Sequence, residues 1–264
     1  EVVVGAPPDL AAIIPRCPQL RWVQSTWAGI DAIAHFASET LQITPLKGVF
    51  GPAMTEYVMG WLLAIERNVI SRASHTQWTP SLEPRITDKR MGIMGTGDIG
   101  AAIALAAKSF GVEVIGLNSD GLAVDGFTAC YPSTDRLAFA ERLDYLVSVL
   151  PQTSQTDNLI DHEVLMRLNP RAIVINAGRG NAVVEADLIA SLNAGHVRAA
   201  VLDVFREEPL PPDDPLWSTP GVHITSHTAG PTPDEAIGEV FERNLKRYIA
   251  GEPLNDAVSA DRGY

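Results

Sequence analysis

The chain has 264 residues, enough to bury a sizeable core as one large domain or two small ones. Its 46% hydrophobic and 20% charged content excludes a disordered chain, and a net charge of −12 leaves no basic stripe for nucleic acid or an anionic membrane surface. Two cysteines, Cys17 and Cys130, exclude a disulfide framework and a metal site; no run approaches a membrane span or a signal peptide, so a cytoplasmic setting is expected.

The chain opens on a strand, Val2–Val4, and alternates short strands and helices to about residue 50. A second strand is expected at Arg21–Gln24, with helical stretches near Leu10–Ile14 and Ile30–Phe36 punctuated by Pro7, Pro8, Pro15 and Pro18. A longer helix follows over Pro52–Arg67, with proline in its first turn. Its apolar residues cover nearly the whole circumference between Tyr57 and Ile65, so it is either a core helix between domains or a subunit interface. From Arg90 to Ser226 strands and helices alternate, which implies right-handed crossovers and a parallel sheet. The expected strands are Met91–Met94, Glu113–Leu117, Tyr145–Leu150, Ala172–Asn176, Arg198–Leu202 and Val222–Thr225. The expected helices are Ile99–Phe110, Asp135–Arg142, Glu163–Leu168, Glu185–Ala194 and a last one over Pro233–Ala250.

Gly95-Thr96-Gly97-Asp98-Ile99-Gly100 lies between the strand ending at Met94 and the next helix. Glycines there let the backbone turn tightly and approach a pyrophosphate, whose charge meets the N–H groups of the helix start. At the end of the following strand stand Asn118, Ser119, Asp120 and Gly121. Asn118 lacks the carboxylate that would repel a 2′-phosphate, and with Ser119 it can hydrogen-bond one. This leans to NADP(H) over NAD(H), although the same four residues are also good turn chemistry.

Three further strand ends carry charged or titratable groups: Arg179, between Gly178 and Gly180; Glu208; and His227. The carboxyl edge of an open parallel sheet is where ligands bind. A guanidinium suits a carboxylate, the flanking glycines allow unusual backbone angles and close ligand approach, and a carboxylate paired with an imidazole favours and orients an imidazolium acid. A surface arginine in a turn and a structural histidine are the alternatives. His223, inside the last strand, reads as structural, and Asp203 is placed facing the nicotinamide.

These residues, with Trp22-Val23-Gln24-Ser25-Thr26-Trp27-Ala28-Gly29-Ile30-Asp31, Met54-Thr55-Glu56-Tyr57 and Leu150-Pro151-Gln152-Thr153, resemble the D-isomer-specific 2-hydroxyacid dehydrogenases over essentially the whole chain. The glyoxylate/hydroxypyruvate reductase branch is the most similar. The resemblance implies a Rossmann-type doubly wound α/β domain, residues 52–229, inserted into a smaller flavodoxin-like substrate domain, residues 1–51 and 230–264. Members usually have a further strand–helix portion before the point where this chain begins, so the substrate domain is expected to be N-terminally shortened. The resemblance also implies a homodimer, cofactor contacts from Gly95 to Gly100, Asn118, Ser119, Leu150, Pro151, Ala177 and Asp203, and substrate contacts from Trp27, Ala28, Gly29, Arg179 and His227.

The expected activity is hydride transfer from NAD(P)H to a small 2-oxo acid, with Arg179, Glu208 and His227 catalytic. Formate-oxidising relatives carry glutamine where this chain has Glu208, which disfavours that branch. The rivals are a nicotinamide-binding regulatory protein of the corepressor kind and a cofactor-binding protein without useful catalysis.

Overall fold

The computed structural model describes residues 1–232 and 234–258, so Pro233, expected to open the last helix, lies outside them. The chain forms two compact units: Glu1–Phe50 with the described residues from Pro231 onward, and Gly51–Gly230.

In the first unit β1 (Val2–Gly5), β2 (Trp22–Ser25) and β3 (Gln42–Thr44) form a parallel sheet in that order, with α1 (Pro7–Ile13) after β1. All four residues of β2 are buried, as a central parallel strand requires. The Trp22 ring stacks on Phe241 of the C-terminal helix Asp234–Ala250 at 5.3 Å, while its Nε1 donates to Thr44 Oγ1 at 2.9 Å. Gln24, also buried, accepts from Thr44 Oγ1 at 2.8 Å and from Asn244 of that helix at 3.3 Å. Each buried polar group in this layer finds a partner, which avoids the desolvation cost of leaving one unpaired.

The second unit starts with α2 (Gly51–Glu66) and α3 (Val69–Ala73). It continues through β4 (Arg90–Met94), α4 (Asp98–Ser109), β5 (Glu113–Asn118), β6 (Cys130–Pro132), α5 (Arg136–Ala140), β7 (Tyr145–Ser148), α6 (His162–Arg167), β8 (Ala172–Asn176), α7 (Glu185–Asn193), β9 (Val197–Leu202) and β10 (Val222–Ile224). The seven strands are parallel in the order β10-β9-β8-β7-β4-β5-β6. Along β8 alternate side chains enter opposite cores: Ala172 and Val174 join one cluster, Ile173 and Ile175 the other. The strand order reverses between β4 and β7, the switch point at which ligands of doubly wound sheets bind.

Four elements differ from the sequence pattern. Ile30–Phe36 closes only as a short 3-10 turn over Ala34–Phe36. The three-residue strands β3 and β6 and the helix α3 carry too few residues for a periodic signal. Along α2 a stripe of Gly51, Met54, Val58, Met59, Leu62 and Glu66 is buried, whereas Trp61, Ala64 and Ile65 are half-buried and Gly60 is exposed. The helix is therefore covered on one side within its own unit.

Glu66 closes that stripe as a buried carboxylate. It accepts from the Tyr145 hydroxyl at 3.0 Å and from Arg198 at 3.3 Å, and Arg198 also donates to the Ile65 carbonyl. Burial, and next the charge of Glu66, push the Tyr145 hydroxyl well above its ordinary range. Removing one partner of a buried pair leaves an uncompensated charge, at a cost of about 3 kcal/mol or more. Arg198→Ala is thus expected to lower the urea midpoint of unfolding markedly; an unchanged midpoint would show that Glu66 does not depend on this partner.

Candidate active site

β4 ends at Met94, and the chain turns at once through Gly95, whose φ of +98° is a left-handed value that favours glycine. A Cβ at Gly100 would sit 1.9 Å from the Gly95 carbonyl oxygen, so glycine there lets α4 start hard against the strand. At Gly97, the N-cap of α4, a Cβ would meet nothing within 4 Å, and no side chain caps the helix. Thr96 is buried, Asp98 is exposed, and Ile99 packs inward against the core. The result is an open helix N-terminus at the switch point, and these residues fit the pyrophosphate of a dinucleotide.

Asn118 ends β5. Its Oδ1 accepts from the Gly121 amide at 2.7 Å, and its Nδ2 donates to Thr96 Oγ1 at 3.1 Å and to the Leu122 carbonyl at 2.9 Å. Both amide hydrogens are spent inside the protein, so the expected hydrogen bond from Asn118 to a 2′-phosphate gives way to a turn that ties this loop to the glycine loop. Asp120 accepts from the Leu122 amide in the same turn, and Ser119 is exposed. Leu150 and Pro151 follow β7 and Ala177 follows β8, placing them at the same edge; Leu150 and Ala177 are buried.

The three charged groups follow β8, β9 and β10, which are neighbours in the sheet. His227 Nδ1 lies 2.8 Å from Glu208 Oε2, and Glu208 Oε1 accepts the Phe205 amide at 2.9 Å. With a carboxylate as the acceptor, Nδ1 carries a proton, which leaves Nε2 as the ring nitrogen turned away from Glu208. Both residues are exposed. Arg179 is half-buried; its Nη1 donates to the Gly178 carbonyl at 2.8 Å, and Asn176 Nδ2 holds the Arg179 carbonyl at 3.0 Å.

The glycines beside Arg179 serve packing rather than ligand approach. Neither has a positive φ. A Cβ at Gly178 would meet the Leu150 backbone at 2.6 Å, and one at Gly180 would meet the Phe205 carbonyl carbon at 1.9 Å. They bring the arginine loop against the β7 end on one side and the segment before Glu208 on the other.

Asp203 ties the turn around His227 from within the protein. Its carboxylate, expected to face the nicotinamide, is buried. It accepts from Thr225 Oγ1 at 2.5 Å and from the amides of Thr228 and Ala229, each at 2.9 Å. Its carbonyl accepts the His227 amide at 2.8 Å. Thr225 in turn contacts the Tyr57 hydroxyl at 2.7 Å. Sequence reasoning gives neither Thr225 nor Tyr57 a role beyond the last strand and the Met54–Tyr57 motif that contain them, because their contact joins residues far apart in the chain. His223 behaves as expected of a structural residue: it is half-buried, packs its ring against Trp61 in a tilted pair at 5.1 Å, and burial lowers its pKa.

In the first unit Trp27, Ala28 and Gly29 follow β2 at its carboxyl end. Ser25 Oγ bridges the Trp27 amide and carbonyl, both at 2.9 Å, and the indole is nearly half exposed.

Residues 59–229 match the family model described as D-isomer specific 2-hydroxyacid dehydrogenase, NAD binding domain. Glyoxylate/hydroxypyruvate reductase A of Yersinia enterocolitica serotype O:8 / biotype 1B is 36% identical over 215 residues, 80% of this chain and 68% of its own. The NADPH-dependent glyoxylate/hydroxypyruvate reductase of Sinorhizobium meliloti, solved with NADP and sulfate, superposes with a TM-score of 0.89 at 29% identity, over 100% of this chain and 86% of that one. A D-isomer specific 2-hydroxyacid dehydrogenase of Xanthobacter autotrophicus Py2, solved with NADPH and MES, gives a TM-score of 0.86 at 33% identity, over 96% and 82%. The chain belongs to the D-isomer specific 2-hydroxyacid dehydrogenase family.

Proposed function

We propose that the protein reduces a small 2-oxo acid of the glyoxylate or hydroxypyruvate type to its 2-hydroxy acid, the D form where carbon 2 is chiral, using NADPH. The observation that carries this reading is the 2.8 Å contact between His227 and Glu208 beside Arg179, on three adjacent strand ends at a dinucleotide-type switch point. The named similarity to glyoxylate/hydroxypyruvate reductases supports the substrate class.

A bound reduced nicotinamide supplies the hydride for the substrate's carbonyl carbon. Arg179 holds the substrate carboxylate with its planar fork of donors and polarises the adjacent carbonyl. His227 donates the Nε2 proton to the oxygen on which negative charge develops. Glu208 accepts from Nδ1, fixes the ring and stabilises the imidazolium; in the reverse direction the neutral ring takes the proton back.

The preference for NADPH rests on the cofactors bound in the two similar structures and on the absence of a carboxylate at Asn118 and Ser119. We assign the cofactor's diphosphate to the glycine loop and its 2′-phosphate to the exposed Ser119. We also infer a homodimer in the cytoplasm: the half-covered face of α2 supports the dimer, and two free cysteines support a reducing setting.

Oxidation of NADPH and NADH with glyoxylate, hydroxypyruvate and pyruvate tests the reading, and a folded sample that binds cofactor but turns over no 2-oxo acid would sink it. His227→Ala is expected to lower kcat about 10²–10⁴-fold. Arg179→Met is expected to lower kcat/KM about 10²-fold or more, chiefly through KM, by removing two charge-assisted hydrogen bonds. Ser119→Asp should cut kcat/KM for NADPH about tenfold and leave that for NADH within twofold, since it sets a carboxylate against the 2′-phosphate. Light scattering is expected to return twice the chain mass, and a monomer at micromolar concentration would refute the dimer.

A further inference from the structure

The exposed His227 stands in a conformation that its own side chain disfavours. Its φ is +55°, in the left-handed region where non-glycine residues are uncommon. Something must hold the turn, and the Glu208 contact does not reach its backbone. The backbone is held from below by Asp203, whose carbonyl takes the His227 amide and whose carboxylate takes the two amides that follow.

Asp203 is itself held by a directional relay. Thr225 has a single hydroxyl proton and donates it to Asp203 Oδ1, so the Tyr57 hydroxyl must be the donor to Thr225 Oγ1. Burial raises the Tyr57 pKa to about 12, which keeps that proton in place at any physiological pH. Tyr57 is not an isolated contact. Four residues on, Trp61 packs against the ring of His223, two residues before Thr225. Four helical residues rise ~6 Å and two strand residues ~6.6 Å, so α2 and β10 stay in step over both contacts.

We propose that Tyr57 and Thr225 are positioning residues for proton transfer: the relay from the Tyr57 hydroxyl through Thr225 to Asp203 fixes the turn that sets the His227 ring against Glu208. This rests on His227 being the proton donor, as argued above. Neither residue touches the reacting atoms; both act through the turn.

Two readouts test it. The first is the 15N shift of His227 Nδ1 in the cofactor-free protein, which reports its hydrogen bond to Glu208 without any turnover. Thr225→Val and Tyr57→Phe are expected to move it, and Thr225→Ser to restore it. The second is a mutant cycle. Thr225→Val should lower kcat about tenfold and Tyr57→Phe about threefold, with KM for NADPH within twofold and Thr225→Ser within twofold of the parent. In a His227→Ala background both losses should vanish, because a residue acting through His227 has nothing left to position. An Nδ1 shift unchanged in folded Thr225→Val or Tyr57→Phe, or equal fold-losses in the two backgrounds, overturns the relay. Should Thr225→Val fail to fold, Tyr57→Phe, at the far end of the relay, carries the same test. A parent protein without turnover defeats the proposed function, while the nitrogen shift still decides the relay.

Discussion

A parallel sheet brings the carboxyl end of every strand to one edge, and everything this chain offers chemically follows from that constraint. Seven strands in the order β10-β9-β8-β7-β4-β5-β6 gather the glycine loop, Arg179, Glu208 and His227 from sequence positions more than a hundred residues apart. The constraint has a cost: both faces of the sheet must be covered, so the strands are almost wholly apolar and the groups that carry chemistry can stand only past their ends. The loops there must also pack on one another, which explains why Gly178 and Gly180 tolerate no Cβ. A substitution at either would displace Arg179 by moving the segments on which its loop rests.

The large features of this arrangement are legible in the sequence because they are written in continuous or periodic runs. β4, β8 and β9 are β-branched or apolar stretches closed by glycine, asparagine or aspartate, and the Gly95–Gly100 pattern sits between a strand and a helix as the chemistry demands. The pairing of Glu208 with His227 follows from their places on adjacent strand ends. What escapes such reading depends on partners far along the chain. β3 and β6 exist because a neighbouring strand lends them hydrogen bonds, and three residues have no period to detect. Asn118 and Asp203 read from the sequence as polar groups at strand ends, and the partners that tie each into a turn become visible only in the fold. Polar residues at strand ends are ambiguous in this way: the same side chain can face a ligand or close a loop, and only the fate of its hydrogen bonds decides.

That ambiguity resolves into a division of labour. The His227–Glu208 pair has side chains 51% and 35% exposed, and ion pairs that accessible contribute ~0–1 kcal/mol. So weak an attraction orients the ring once the two residues are side by side, but it adds little to what places their loops. The geometry is imposed on them by backbone contacts: the Phe205 amide fixes the carboxylate, and the Asp203 carbonyl fixes the histidine's amide. The buried groups thus supply the order beneath the exposed pair to which the chemistry is assigned.

The separation also suits what the exposed pair has to do. In the proposed reaction the histidine gives up and regains a proton, and a structure that relied on the ring's charge for its stability would loosen with each step. Here the contacts beneath the turn are hydroxyls and amides on a buried carboxylate, and none of them is made by the imidazole. Under that proposal the imidazole changes its charge while the backbone beneath it stays in place, so the position needed to donate a proton is the position in which the next one is received.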